Sequence, residues 1–142
     1  MRVAYGLDDL PDEVPRPIVT IGNFDGLHLG HQELMRGLVA RAGQVGGTSM
    51  VLTFHPHPLQ LLAPGNAPRQ IQTLRQKLAL MESLGVALVV VLEFSREFAG
   101  LSASAFVEEV LCRAYAVLKE FDIGHVTLQV EPFRHNHDAC KF

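Results

Sequence analysis

Three short, uninterrupted apolar runs constrain this chain more than any other feature: Ile18-Val19-Thr20-Ile21, Ser49-Met50-Val51-Leu52-Thr53-Phe54, and Val86 to Leu92. A strand with one wet face alternates apolar and polar residues. A run that is apolar on both faces must be covered on both, the condition met by a parallel sheet under helices. The stretches between the runs have helical periodicity. From Gln32 onward Leu34, Met35, Leu38, Val39 and Ala42 recur at helical spacing, and Gly43, Gly46 and Gly47 end that helix. Thr73-Leu74-Arg75-Gln76 has capping-box form and opens a second helix, with a stripe of Leu74, Leu78, Leu80, Met81 and Leu84 that stops at Gly85. Ser102 can cap a third, its inner face carrying Phe106, Val107, Val110 and Leu111. Pro11, Pro15 and Pro17 mark an irregular lead-in, and a Pro-rich loop runs from Pro56 through Pro68. The order β-α-β-α-β-α predicts an α/β fold, an incomplete doubly wound parallel sheet with helices on both faces.

A chain of 142 residues is one domain by size, and 48% hydrophobic with 19% charged residues is an ordinary globular composition. The net charge of -3 supplies no basic field for nucleic acid, so any phosphate must be held by local geometry. The longest strongly apolar run, Val86 to Leu92, is far too short to cross a bilayer, and Met1 to Asp9 has no leader character. Cys112 and Cys140 have no CxxC spacing and read as unpaired thiols of a reducing compartment. The expectation is a cytoplasmic protein that binds neither membrane nor nucleic acid.

The segment Gly22-Asn23-Phe24-Asp25-Gly26-Leu27-His28-Leu29-Gly30-His31 lies where the first run ends and the first helix begins. Ligands of open α/β sheets bind there, beyond the carboxyl ends of the strands. Gly22, Gly26 and Gly30 are expected to open the backbone to a nucleotide, and the helix start offers unpaired N–H groups to an anion. His28 and His31, three residues apart, fall on one side of the first helical turn. Two imidazoles aimed at one point suit the charge that builds on a phosphate in transfer. Metal ligation and chance surface placement are the competing readings of such a pair.

This His-x-Gly-His element after Gly-x-Phe-Asp resembles the nucleotidyltransferase superfamily, and in this form the bacterial FAD synthetases. Further matches follow in order: Thr53-Phe54-His55-Pro56-His57-Pro58, with His55 where an acid is usual; Leu74 to Leu84 and Gly85-Val86; Val89-Val90-Val91-Leu92-Glu93-Phe94; and Phe98-Ala99-Gly100-Leu101-Ser102 through Phe106-Val107. The resemblance covers about residues 1–111. It implies a Rossmann-like nucleotidyltransferase fold in which FMN attacks the α-phosphorus of Mg-ATP, giving FAD and pyrophosphate. It implies ATP and FMN as partners, with Mg2+ accompanying ATP. It also implies that His28 and His31 stabilise the transition state while Gly22, Phe24 and Gly30 shape the nucleotide cradle. Asn23 and Asp25, beside Gly26, orient either the loop or metal-bound water. Thr53, Pro56, His57 and Pro58 face the flavin or phosphate side, or form a turn stiffened by proline.

After Leu111 the resemblance implies a Gly-x-Asp-Phe-x-Phe-Gly-like loop and a Ser-Ser-Thr-x-Ile-Arg element, and neither stands in the sequence as such; Pro132-Phe133-Arg134 is a faint echo of the first. Residues 112–142 are therefore expected to be a divergent or foreign segment. Ala116 to Glu131, with its His-Val-Thr-Leu-Gln-Val-Glu stretch, is similar to the cytoplasmic domain of cation diffusion facilitators. His125, His135, His137, Asp138 and Cys140 hold atoms suited to zinc or copper, but their spacing matches no standard motif, and no metal site is assigned. Three functional readings follow: an FMN adenylyltransferase impaired by truncation, an inactive nucleotide-binding remnant, and a transferase with another acceptor such as glycerol phosphate or pantetheine phosphate. The Asn23–Gly26 form and Pro56-His57-Pro58 favour the flavin acceptor.

Overall fold

The computed structural model describes residues 1–65, 67, 69–102, 105, 106 and 110. The second resemblance, the candidate ligands from His125 to Cys140, both cysteines, and Val107 and Leu111 lie outside them. The elements in chain order are β1 (Arg2–Tyr5), β2 (Ile18–Ile21), α1 (Leu29–Val45), β3 (Ser49–His55), α2 (Pro58–Leu62), α3 (Leu74–Ser83), β4 (Leu88–Glu93) and α4 (Arg96–Ala99). The strands form one sheet in the order β1-β4-β3-β2, and every neighbouring pair is parallel. Val51 is level with Val89 and Thr20, and Thr53 with Val91, so the three apolar runs pair as expected.

Alternate residues of the central strands feed two cores. Val51, Val89 and Val91 point to one face and meet Met35 and Leu38 of α1 and Met81 of α3. Met50, Leu52, Leu88, Val90 and Leu92 point to the other and meet Ala4, Ile21 and Val14. Each fully buried side chain of this size contributes about 1.5–3 kcal/mol, which is why the doubly apolar runs go to the centre. The two long helices share one face, and the short α4 packs on the other through Phe98. α1 and α3 cover the same face, because β2, β3 and β4 advance in one direction and each right-handed crossover returns on one side. The opposite face is covered by Leu7 and Leu10 of the lead-in and by Phe98, Leu101, Phe106 and Val110.

α3 starts at the expected capping box: Gln76 N–H donates to Thr73 Oγ1 at 3.2 Å and Thr73 N–H donates to Gln76 Oε1 at 2.9 Å. α1 begins at Leu29, within the expected opening between His28 and His31, and ends where Gly46 takes the left-handed conformation, with φ of 62°. The predicted cap at Ser102 is in place, its Oγ accepting from Ala105 N–H at 3.1 Å. Two elements depart from the sequence expectations. β1 occupies what reads as a featureless start, and Pro58–Leu62 is a short helix inside the Pro-rich stretch. With all four strands parallel, the loops after Ile21, His55 and Glu93 leave the sheet at one edge.

Candidate functional site

The loop from Gly22 to His28 is held in a conformation the chain does not adopt unaided. Phe24, Gly26 and Leu27 have φ of 49°, 79° and 33°. The left-handed region costs a side-chain-bearing residue roughly 1–2 kcal/mol, so the surroundings must enforce it. Phe24 and Leu27 are buried. The Asp25 carboxylate accepts the Ile71 N–H at 3.2 Å to each oxygen and the Gln72 N–H at 3.4 Å. Gln72 Nε2 donates to the Phe24 carbonyl at 3.2 Å, and Gln32 Nε2 donates to the Leu27 carbonyl at 2.9 Å. The loop is thus clamped by Gln32 of α1 and by the turn at Ile71 and Gln72 that leads into α3.

The glycines make room for the chain's own side chains. A Cβ on Gly22 would stand 2.9 Å from the Phe24 ring, and one on Gly26 would stand 2.9 Å from Ile71 Cδ1. One on Gly30 would meet the His28 imidazole at 3.4 Å. Packing on the Phe24 ring therefore accounts for Gly22, whereas at Gly26 the exposed Ile71 tip can move aside and the left-handed φ is the stronger reason.

His28 is the N-cap of α1, with extended backbone and no side-chain cap hydrogen bond, and its carbonyl accepts the Gln32 N–H at 3.0 Å. Its exposed imidazole stacks on that of the buried His31, centroids 3.7 Å apart and planes 24° from parallel. The edge of Phe24 closes on His31 at 5.3 Å and 86°. The three-residue spacing thus brings the two rings together at the positive end of a helix of 17 residues.

Below the loop lies a polar floor that the sequence reading did not anticipate. Lys77 of α3 is only 7% exposed, and its Nζ donates to the Asn23 carbonyl at 2.7 Å and to Thr53 Oγ1 at 3.1 Å. Thr53 Oγ1 donates in turn to the same carbonyl at 3.2 Å. Burial pulls the Lys77 ammonium below the usual lysine range, and the Asp25 carboxylate opposes this. His57 caps α2, its Nδ1 accepting the Leu59 N–H at 3.2 Å, which puts the proton of the neutral ring on Nε2. Burial lowers its affinity for a second proton, Asp25 raises it and Lys77 lowers it again, so the three groups share one electrostatic neighbourhood. Pro56 follows a cis peptide bond and Pro58 is buried at the first position of α2.

Gly22 to His31, Thr53 and His57 therefore gather at one edge of the sheet, and Pro56 and Pro58 frame His57. Lys77, Gln72 and Gln32 are the residues that sequence reasoning missed. A lysine one residue before Leu78, on the stripe of α3 that Leu74 and Met81 share, was the available signal. Among the described residues no three His, Cys, Asp or Glu side chains converge on a point that could hold a metal ion. No helix among them is long and apolar enough to cross a membrane.

The FAD synthetase family model matches residues 11–126. The bifunctional riboflavin kinase/FMN adenylyltransferase of Escherichia coli (strain K12) is 36% identical over 115 residues, which are 80% of this chain and 36% of that protein. The protein of the same description from Pseudomonas fluorescens is 38% identical over 124 residues, 87% of this chain and 39% of the relative. The chain thus spans little more than a third of the length of these relatives. In three dimensions it is similar to a macrolide-efflux protein from Streptococcus pneumoniae, with a TM-score of 0.68 and 23% identity, covering 91% of this chain and 51% of the other. That likeness concerns the fold. The matched residues include the clamped loop, the stacked imidazoles and the floor beneath them, and on that match the chain belongs to the FAD synthetase family.

Proposed function

We propose that this chain transfers AMP from Mg-ATP to FMN, giving FAD and pyrophosphate. The observation that carries the reading is the stacked His28–His31 pair at the N-terminus of α1, in a chain of this family. In the reaction an oxygen of the FMN phosphate forms a bond to the α-phosphorus of ATP. The bond from that phosphorus to the bridging oxygen breaks, and pyrophosphate leaves with the electron pair. No covalent enzyme intermediate is involved. His28 and His31 donate hydrogen bonds to the phosphate oxygens and hold them as charge accumulates. The first turn of α1 adds backbone N–H groups and its dipole.

Gly22, Asn23, Phe24, Asp25, Gly26 and Gly30 form the nucleotide side. Asp25 acts by tying the loop to residues 71 and 72, and both its oxygens are engaged there. Magnesium accordingly enters as part of the Mg-ATP substrate, held by phosphate oxygens and water. Thr53, Pro56, His57 and Pro58 form the acceptor side, where the Nε2–H of a neutral His57 is a donor for a phosphate or flavin oxygen. We place the activity in the cytoplasm, where thiols such as Cys112 and Cys140 stay reduced.

The acceptor is tested by incubating the purified chain with α-labelled ATP and FMN, glycerol 3-phosphate or 4′-phosphopantetheine in parallel. Label should pass to FMN alone. Transfer to another acceptor in its place would assign a different substrate, and Mg-ATP binding without transfer to any would mark a nucleotide-binding remnant.

A further inference from the structure

Lys77 is the one cation of α3 turned into the protein. Taking its charge out of water is costly, so its position needs a reason. Its partners supply one. The Asn23 carbonyl at 2.7 Å belongs to the peptide that enters Phe24, the first left-handed residue of the loop. In a trans peptide the C=O and N–H point in opposite directions. A donor that fixes the Asn23 oxygen therefore also fixes the plane of the 23–24 peptide, and it turns the Phe24 N–H away from the floor. Thr53 Oγ1 accepts from the same ammonium and ties this point to the end of β3. Among the described residues, Asp25 and His57 are the ionisable groups that interact with it.

We propose that Lys77 is a positioning residue, which sets the 23–24 peptide and, through the packing of Phe24 on His31, the seat of the two imidazoles. The functional part of the proposal rests on the adenylyltransferase reading above. A purely structural lysine would be expected to stabilise the fold. Here its removal strands no partner, because Thr53 Oγ1 still donates to the Asn23 carbonyl at 3.2 Å. A buried charge can often be replaced by an apolar side chain of similar volume at no loss of stability. Positioning and stability therefore separate.

The test is Lys77→Met, with Lys77→Arg as the variant that keeps a cation and N–H donors. Backbone 15N relaxation of Asn23 to His28 is measured without nucleotide, beside the melting temperature. In the wild type the order parameters should be those of a rigid backbone, about 0.85, and in Lys77→Met they should fall below about 0.6. The melting temperature should hold or rise. Lys77→Arg should retain at least part of the order. With FMN and Mg-ATP, kcat of Lys77→Met should fall at least tenfold, while KM for ATP changes less. Unchanged loop order in Lys77→Met would overturn the proposal. So would equal loosening in both variants, or a melting temperature that collapses with the loop. Absence of turnover in the wild type would overturn the adenylyltransferase reading instead, and the relaxation data would still decide the role of Lys77.

Discussion

Replacing Asp25 with alanine asks whether this carboxylate holds the loop or serves a metal ion, and the two roles give opposite patterns. The substitution removes the acceptor of two backbone N–H groups, those of Ile71 and Gln72. Hydrogen bonds to a charged group contribute about 1.5–3 kcal/mol each when short and shielded. These are 3.2–3.4 Å long, and Ile71 is 77% exposed, so water can replace the lost acceptor. The loss should therefore total about 1–2 kcal/mol. For a domain of this size that lowers the melting temperature by roughly 3–8 °C. The strain at Phe24 and Leu27 is then opposed from the α3 side only by Gln72 Nε2 and Lys77 Nζ, and the loop that presents His28 should loosen. The assay is thermal unfolding with and without saturating Mg-ATP. The clamp predicts a lower melting temperature without ligand and a reduced rise on adding Mg-ATP. Asp25→Asn, which keeps one uncharged acceptor oxygen, should fall between the two. An unchanged melting temperature without ligand, with only the Mg-ATP response lost, would refute the clamp and make Asp25 a ligand of the magnesium or its water.

Three other outcomes are expected. His28→Ala and His31→Ala should each lower kcat by about 10²–10³, with nucleotide affinity changed far less, because their hydrogen bonds strengthen in the transition state; equal losses in both quantities in a turnover and titration series would make them ground-state holders. Burial leaves His57 harder to protonate when folded than the ordinary 6.5, so its contribution is complete above that pH and is lost as pH falls through the lower folded value; stability measured from pH 7 to 4 should lose part of its acid-side decline in His57→Asn, which retains a capping oxygen. Gly22→Val should press on the Phe24 ring from a Cβ at 2.9 Å and cost about 1–3 kcal/mol, whereas Gly37→Ala, whose Cβ would meet nothing within 4 Å, should not destabilise in a denaturant titration.

The elements that were legible in the sequence are those whose burial is written in their own residues. Val89 to Leu92 is apolar on both faces and could only be a covered strand, and Thr73 with Gln76 announced a helix start that the structure reproduces. β1 was illegible because Arg2–Tyr5 buries only Ala4 fully and is a strand by virtue of its pairing with Leu88–Val91. Pro58–Leu62 was read as loop from its prolines, although Pro58 occupies the one helical position where proline is favoured, behind a His57 cap. At the site, the histidine spacing put both rings on one side of the helix start, and the extended backbone of His28 at the N-cap completes their stacking. The approach of the Phe24 ring to Gly22 and of the Ile71 side chain to Gly26 was not legible, because it arises from loop folding that no local pattern encodes. Lys77 was missed for the same reason: its partners, Asn23 and Thr53, lie 54 and 24 residues away.

Adenylyl transfer to FMN, stabilised by the stacked imidazoles, is the activity proposed for this chain. Its most direct measurement is FAD and pyrophosphate released in equal amounts by the purified chain from FMN and Mg-ATP, beside the His28→Ala/His31→Ala double variant at matched nucleotide occupancy. Stoichiometric products are expected from the wild type and a rate at least about 10²-fold lower from the variant. FAD formed by the double variant at the wild-type rate would contradict it.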